Sequence, residues 1–405
     1  MRGYLRYILV LAFLPLCILT SAQNNTSSPF SCYGLGDVND NVPNTYRAMG
    51  SVGIGMRNRK VICPSQPASF TACDSLTFMF DLAADVMWTR YGDDVGKKNK
   101  ANGNLEYIML QFPLYKRWIA ISAGLLPFTS VGYNITMRDS IKSDYHYNTT
   151  FYGNGGISEV YGGLSFNLFN WVALGANVYY MFGDVTNSRS VTFDEAELKS
   201  VVQASELSVS SVRFREGIQL FHEFKKHAFT VGAIFENRQT LKSDFVMAES
   251  TQLDTVWVAK DIAQVPMMFG VGASYVWDKR LTVGFDYSRY YWSKTQNISG
   301  FDELRDRNKY AFGMEYRHNP IGRNYAERMF WRLGCNLSDS YVTKITQPDY
   351  MVSIGFGFPL RNTGTVFNAT IEYGHRGPAA SLEEHFMRLT INAAICENWF
   401  FKRRL

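Results

Sequence analysis

Beyond its N-terminal two dozen residues this 405-residue chain lacks any run of roughly 18 consecutive apolar residues, which excludes a membrane-crossing helix from most of its length. Charge of one sign is missing as well. Forty-one Lys and Arg stand against 36 Asp and Glu, and the resulting net charge of +5 is too small and too dispersed for the basic footprint of a nucleic-acid binder. Only six His occur. His222, His227 and His318 fall near short connections, His146, His375 and His385 in or beside long ones, and no Ser or Asp constellation accompanies them, so the chain does not read as an enzyme. Cysteine is scarce too. After Cys17 come Cys32, Cys63, Cys73, Cys335 and Cys396, an odd number in which Cys63 and Cys73 are close enough to bridge, with Cys32 a competitor and Cys335 reading as a plain thiol on a strand. No Cys and His spacing matches a zinc site, and no cofactor is expected.

What the chain does have is period-2 alternation. Leu281, Val283, Phe285 and Tyr287 alternate with Thr282, Gly284, Asp286 and Ser288, which puts one face in apolar and the other in polar surroundings. Val172 to Tyr180, Phe229 to Glu236 (with Ile234 an exception) and Phe367 to Tyr373 repeat the pattern. A soluble sandwich alternates in the same way, so the compartment must be read from the N-terminus. There Arg2 and Arg6 precede an apolar run from Tyr7 to Leu19, and Thr20-Ser21-Ala22 supplies small residues, the layout of a secretory signal peptide cleaved after Ala22. An exported chain with 15% aromatic residues, abundant Gly and a mean hydropathy of only -0.16 fits a barrel whose outward apolar and inward polar residues nearly cancel.

Fourteen strands are predicted, at 74–90, 103–114, 117–138, 154–168, 170–183, 207–224, 227–246, 255–277, 281–294, 308–318, 328–342, 349–361, 364–376 and 383–401. The even count suits a closed single-chain barrel. Links such as Tyr115-Lys116, Phe169-Asn170 and Lys225-Lys226 are tight, whereas 91–102, 139–153, 184–206, 247–254 and 295–307 are long, the asymmetry of periplasmic turns and outer loops. The expected architecture is therefore an all-β transmembrane antiparallel barrel in a Gram-negative outer membrane: a signal peptide at 1–22, an N-terminal plug at 23–73 and the barrel at 74–405. Residues 23–73 alternate poorly and are rich in Gly and Pro, so a flexible periplasmic tail is the competing reading.

Ser28-Pro29-Phe30, Tyr33-Gly34-Leu35-Gly36-Asp37, Arg47-Ala48-Met49-Gly50 and Pro67-Ala68-Ser69-Phe70 resemble the start of FadL-like outer-membrane proteins, the long-chain fatty-acid transporter family. The resemblance implies a fourteen-stranded barrel with an N-terminal hatch and a kinked third strand that opens laterally. The family's short Asn-Pro-Ala hatch motif appears here as Gln66-Pro67-Ala68, and the chain continues past Phe401 to Leu405. Pro127, just after Gly124, withholds a ladder hydrogen bond and marks the kink, with a purely local bulge as the competitor.

Inward apolar residues would distinguish a hydrophobic pocket from a polar pore. Strand phase supplies Met79, Met87, Tyr107, Met109, Leu126, Phe128, Tyr179, Met181 and Met268, either as a ligand pocket or as packing against the plug. Inward charges, Asp286, Glu315 and Glu372 with Arg317, Arg332 and Arg388, balance in sign and predict a paired network. Asp139-Ser140-Ile141 and Asp254-Thr255-Val256 are acidic, hydroxyl, aliphatic triplets of the kind some bacterial envelopes glycosylate. Three functions compete. The first is passive uptake of hydrophobic molecules such as long-chain fatty acids, with outer-membrane lipid and hydrophobic small molecules as partners. The second is a non-transporting barrel subunit of an outer-membrane secretion or assembly complex, with an envelope protein complex as partner, and the third is a general polar porin.

Overall fold

The computed structural model describes residues 26–398 apart from 93–95, 142–144, 195–198, 251–254, 296–303, 344, 346, 361–363 and 378–381. The proposed signal peptide and the residues after Asn398 lie outside the described part. Fourteen antiparallel strands form the wall: β1 Thr77–Gly92, β2 Lys97–Tyr115, β3 Ile119–Ile141, β4 Tyr145–Leu168, β5 Val172–Phe193, β6 Val201–Phe224, β7 in two parts (His227–Glu236 and Ser243–Ser250), β8 in two parts (Thr255–Lys260 and Met268–Trp277), β9 Leu281–Tyr290, β10 Arg307–Tyr316, β11 Phe330–Ser338, β12 Asp349–Pro359, β13 Val366–Arg376 and β14 Glu383–Asn398. Strand β14 returns to β1 in register from Asn398↔Thr77 to Glu383↔Gly92, which closes the sheet and leaves no edge along that join.

The pleat places the alternating residues as the sequence implies. Phe285, Val231, Phe367 and Ile371 face outward and are exposed, while Asp286, Asn368 and Glu372 are buried on the inner face. Ile234, the exception to the alternation in β7, is buried and packs with Ile54 and Met268. Trp118, Trp171, Trp277, Tyr316 and Trp331 stand exposed near the short-turn end, and Trp88, Tyr180, Tyr310, Tyr350 and Tyr373 toward the other. These are two aromatic girdles around an outward apolar band. At the short turns Phe169 and Asn170, with φ of 57° and 59°, and Asp278 and Lys279, with φ of 50° and 54°, adopt left-handed conformations inside turns closed by the Trp171 N–H on the Leu168 carbonyl and the Arg280 N–H on the Trp277 carbonyl.

Several links expected to be loops are ladder instead. Strands β3 and β4 stay paired to Ile141↔Tyr145, β5 continues to Phe193 and β6 starts at Val201. Likewise β1 and β2 meet at Gly92↔Lys97, and β7 runs to Ser250 with β8 resuming at Thr255. Above an apolar band both faces of a strand meet polar surroundings, so the stripe vanishes from the sequence while the backbone goes on pairing. The Cys63–Cys73 bridge is not formed. Both are buried free thiols, Cys63 Sγ lying 3.1 Å from Ser65 Oγ and Cys73 packing beside Met79.

Residues 26–73 contain only short elements, the 3-10 turns Pro29–Cys32 and Pro67–Ala72, the two-residue strand Asp37–Val38 and the helical turn Asn44–Arg47. They are not a free tail. Most of their side chains are buried, and their partners are inward-facing wall residues from many strands. The approach is close. A Cβ on Gly334 of β11 would lie 1.9 Å from the Gly50 nitrogen, so backbone meets backbone without intervening side chains.

Candidate functional site: the β2–β3 seam and the segment behind it

Strand β3 carries a local irregularity of the wall. Pro127 cannot donate to a ladder, and the β3–β4 register shifts between Pro127 and Thr129, a bulge that leaves Phe128 unpaired in that ladder. On the other side the β2–β3 ladder runs only from Tyr115↔Ile119 to Ile108↔Leu125. Beyond that point β2 goes on pairing with β1 as far as Lys97, and β3 with β4 as far as Ile141. The two strands therefore part above Leu125. Gly124 stands at the fork, where a Cβ would lie 2.6 Å from the Ile108 carbonyl.

The N-terminal segment occupies this fork. Asp37 and Val38 pair with Ser130 and Thr129 of β3, and the Asn39 N–H donates to the Phe128 carbonyl at 2.9 Å. Ser31 Oγ accepts from the Gly132 N–H at 3.1 Å, and toward β2 the Ser27 hydroxyl meets Asn102 at 3.0 Å. Two internal cavities lie behind the seam, about 100 Å³ and 30 Å³, and both are bordered by Asp37, Asn39, Glu106, Pro127 and Arg388. Polar and charged residues together outnumber apolar ones in their lining.

All nine apolar residues assigned inward by phase are buried. They do not form one pocket. Met79, Tyr107, Met109, Leu126 and Tyr179 cluster with Ile62, Phe70 and Cys73 of the N-terminal segment. Phe128 and Met181 lie in a second cluster with Leu35, and Met268 meets Ile54 in a third. Met87 stands apart, its sulfur 3.4 Å from the Arg388 guanidinium. Gln66, Pro67 and Ala68 are fully enclosed. Gln66 Oε1 accepts from the Ala68 N–H at 3.3 Å while its Nε2 donates to the carbonyls of Ile54, Ile218 and Ala233, so glutamine both caps the following turn and ties it to β6 and β7.

The balanced charges pair as expected, with partners the sequence did not reveal. Glu372 binds Arg47 of the segment at 2.6 Å, and Arg47 also reaches Glu106 at 2.8 Å. Arg388 lies 3.5 Å from Asp85 and 3.8 Å from Glu372, completing a buried cluster that joins β1, β2, β13 and β14 to the segment. Glu315 and Arg332 pair at 2.6 Å. Asp286 is bound by backbone instead, accepting the N–H groups of Gly53 and Ile54 at 2.6 and 2.7 Å and that of Gly55 at 3.1 Å. Arg317 does not join the inner network; it donates to the Lys279 carbonyl and lies 4.7 Å from the Phe330 ring. A second cluster was missed altogether: Arg213 binds Glu159 at 2.7 Å and Glu236 at 2.8 Å, Arg215 binds Glu236, and Asn41 donates to Glu159. The signal available was charge in the inward phase of β4, β6 and β7. Asp40 meets Lys309 at 2.5 Å; burial pushes its carboxyl up, but Lys309 and Arg307 outweigh it and hold the pKa at about 2.

A closed fourteen-strand antiparallel wall with an outward apolar band, two aromatic girdles and short turns at one end is an outer-membrane-type β-barrel, and its fold is FadL-like. It is similar to the structure of a Pseudomonas aeruginosa FadL homologue (TM-score 0.63, 11% identity, covering 90% of this chain and 100% of that one). It is also similar to the Ralstonia pickettii toluene transporter TbuX (0.61, 13%, 88% and 98%) and to the CymD monoaromatic hydrocarbon channel (0.59, 13%, 90% and 99%). No curated protein matches the chain. The BamG family matches residues 4–405, and the chain belongs to that family.

Proposed function

We propose that this protein is a Gram-negative outer-membrane barrel for passive uptake of hydrophobic molecules, without enzymatic activity, in which residues 1–22 are a signal peptide, 23–73 a plug and 74–405 the barrel. The observation that carries this reading is the fork at Ile108 and Leu125, where two neighbouring wall strands part and the gap is filled by Asp37, Val38 and Asn39 rather than by wall. The solved structures of the same fold include a toluene transporter and a monoaromatic hydrocarbon channel, which agrees in substrate chemistry. An oily molecule would reach the seam from the outer rim, meet Leu126, Phe128 and Met181, and leave sideways as the segment withdraws. Withdrawal is required. The cavity of about 100 Å³ behind the seam is well below the roughly 300–1,000 Å³ of ordinary ligand pockets.

Uptake of a labelled long-chain fatty acid and of toluene by cells expressing the protein tests this reading. A Val38→Cys/Thr129→Cys pair, at positions in direct register, should block uptake when oxidised and restore it on reduction. Uptake equal to that of cells lacking the protein, with no amphiphile found by mass spectrometry of gently purified material, overturns it.

A second reading has an observation of its own in its favour. Arg47, Asp286 and Gln66 fix the segment to many strands at once, and the inward apolar residues are already covered by it. A barrel filled this way suits a non-transporting subunit of an envelope complex. Stoichiometric co-purification with an envelope protein, together with unchanged uptake in the crosslinked variant, would favour that role.

A further inference from the structure

We propose that His375, Glu383 and His385 form a transition-metal site of the Zn²⁺ class on the outer surface of the barrel, where β13 and β14 approach the rim opposite the tight turns. Strand register builds it. His375 and His385 are directly paired across the β13–β14 ladder, and Glu383 lies two residues before His385, so the pleat turns all three to one side of the sheet. A ring nitrogen of each histidine and a carboxylate oxygen of Glu383 lie within 4.8 Å of one another. Tetrahedral zinc with bonds of about 2.0–2.1 Å needs its donors about 3.3 Å apart, a contraction that side-chain rotation supplies. Nine residues lie between the two histidines in the chain, so no short spacing announces the site in the sequence.

Three further observations point to a ligand rather than to a chance meeting of polar groups. His375 is only 8% exposed, and among the described residues its Nδ1 has no hydrogen-bond partner. A buried ring nitrogen without a partner is costly, and a metal ion would satisfy it. His385 is already oriented for the task. Its Nδ1 lies 2.9 Å from the Tyr373 hydroxyl, which leaves Nε2 facing Glu383 Oε2 at 3.8 Å. That is the outer hydrogen bond by which metal-binding histidines are commonly held. The His375 ring is in turn stacked on Tyr350, with centroids 5.0 Å apart, and the two imidazoles have centroids 4.7 Å apart.

Three protein donors leave a fourth position for water or an external oxygen. Arg90, directly opposite His385 on β1, adds positive charge beside the site and opposes a bare cation. An anionic fourth ligand would relieve that repulsion.

The test is titration of the EDTA-stripped, detergent-solubilised full chain with Zn²⁺ by calorimetry, with Cu²⁺ electron paramagnetic resonance reading the donor atoms. One ion per chain is expected, with two nitrogen donors. His375→Gln, His385→Gln and Glu383→Gln should each weaken binding by at least roughly 10–100-fold, the cost of losing even an outer hydrogen-bond partner, and Tyr373→Phe by about tenfold. Arg90→Gln should tighten it by a small factor. Heat-modifiable electrophoretic mobility, unchanged in every variant, shows that the barrel has folded. Binding no tighter than millimolar, binding indifferent to the histidine variants, or a Cu²⁺ signal of sulfur ligation that is lost on replacing exposed Cys32 or Cys335 by serine would overturn the proposal.

Discussion

The N-terminal segment meets two different walls inside one barrel. Against β9 to β11 it docks backbone to backbone, with Gly50 at Gly334 and three successive N–H groups on Asp286, and every wall strand there keeps its neighbours. Against β2 and β3 it stands in for absent wall, its Asp37, Val38 and Asn39 taking hydrogen bonds that β2 would otherwise supply. On the first side the segment depends on the barrel. On the second the barrel depends on the segment, because parting them would leave β3 backbone groups unpaired. A channel needs the second kind of contact to open, and a fixed scaffold needs the first to hold.

The sharpest way to break the contrast is Arg47→Ala. It strips Glu372 and Glu106 of their closest cation and leaves only the more distant Arg388, and removing one partner of a buried pair typically costs about 3–5 kcal/mol. The segment should become protease-accessible while the wall survives, which limited proteolysis in detergent would read. Asp286→Ala leaves three backbone donors of the docked side without their acceptor. About 1–3 kcal/mol is expected, with faster hydrogen exchange at Gly53, Ile54 and Gly55 and little change at the seam. Asn39→Pro removes one donor to the Phe128 carbonyl, worth about 1 kcal/mol, and should raise exchange along the upper half of β3 without touching β9 to β11. If Asn39→Pro and Asp286→Ala loosen both regions alike, the segment moves as one body and the contrast fails.

Acid gives the smallest effect over the accessible range. Asp40 has a folded pKa of about 2, below its ordinary 3.8, so its ion pair with Lys309 stabilises the native state fully above about pH 4. That contribution fades as the pH falls toward 2. Protease protection of the segment should therefore stay flat from pH 7 to about 5, and Asp40→Asn should abolish the part of any acid loss that sets in below 4.

Much of the wall was legible because one physical rule, apolar outward and polar inward, is written at every second residue between two girdles. The rule fades where the outward side leaves the apolar band, which is why 139–153 and 184–206 read as loops although β3 to β6 run on through most of them. Phase alone put Met79, Met109, Tyr179 and Met181 on the inner face, and they are buried there. It could not say what covers them, since their neighbours Ile62, Phe70 and Leu35 belong to a segment without periodicity. Pro127 was readable as a kink from its missing N–H. That β2 and β3 part beside it, and that Arg47 and Asp37 find partners more than 300 residues away, are facts of three-dimensional closure.

Strand lengths are unequal around the circumference, 24 residues in β4 and β6 against nine in β11. At about 3.3 Å per residue the difference approaches 50 Å along the strand axis. The mouth is thus cut obliquely, high on one flank and low on the other. The flank built by β4 and β6 therefore offers a far taller wall than the flank that carries β11.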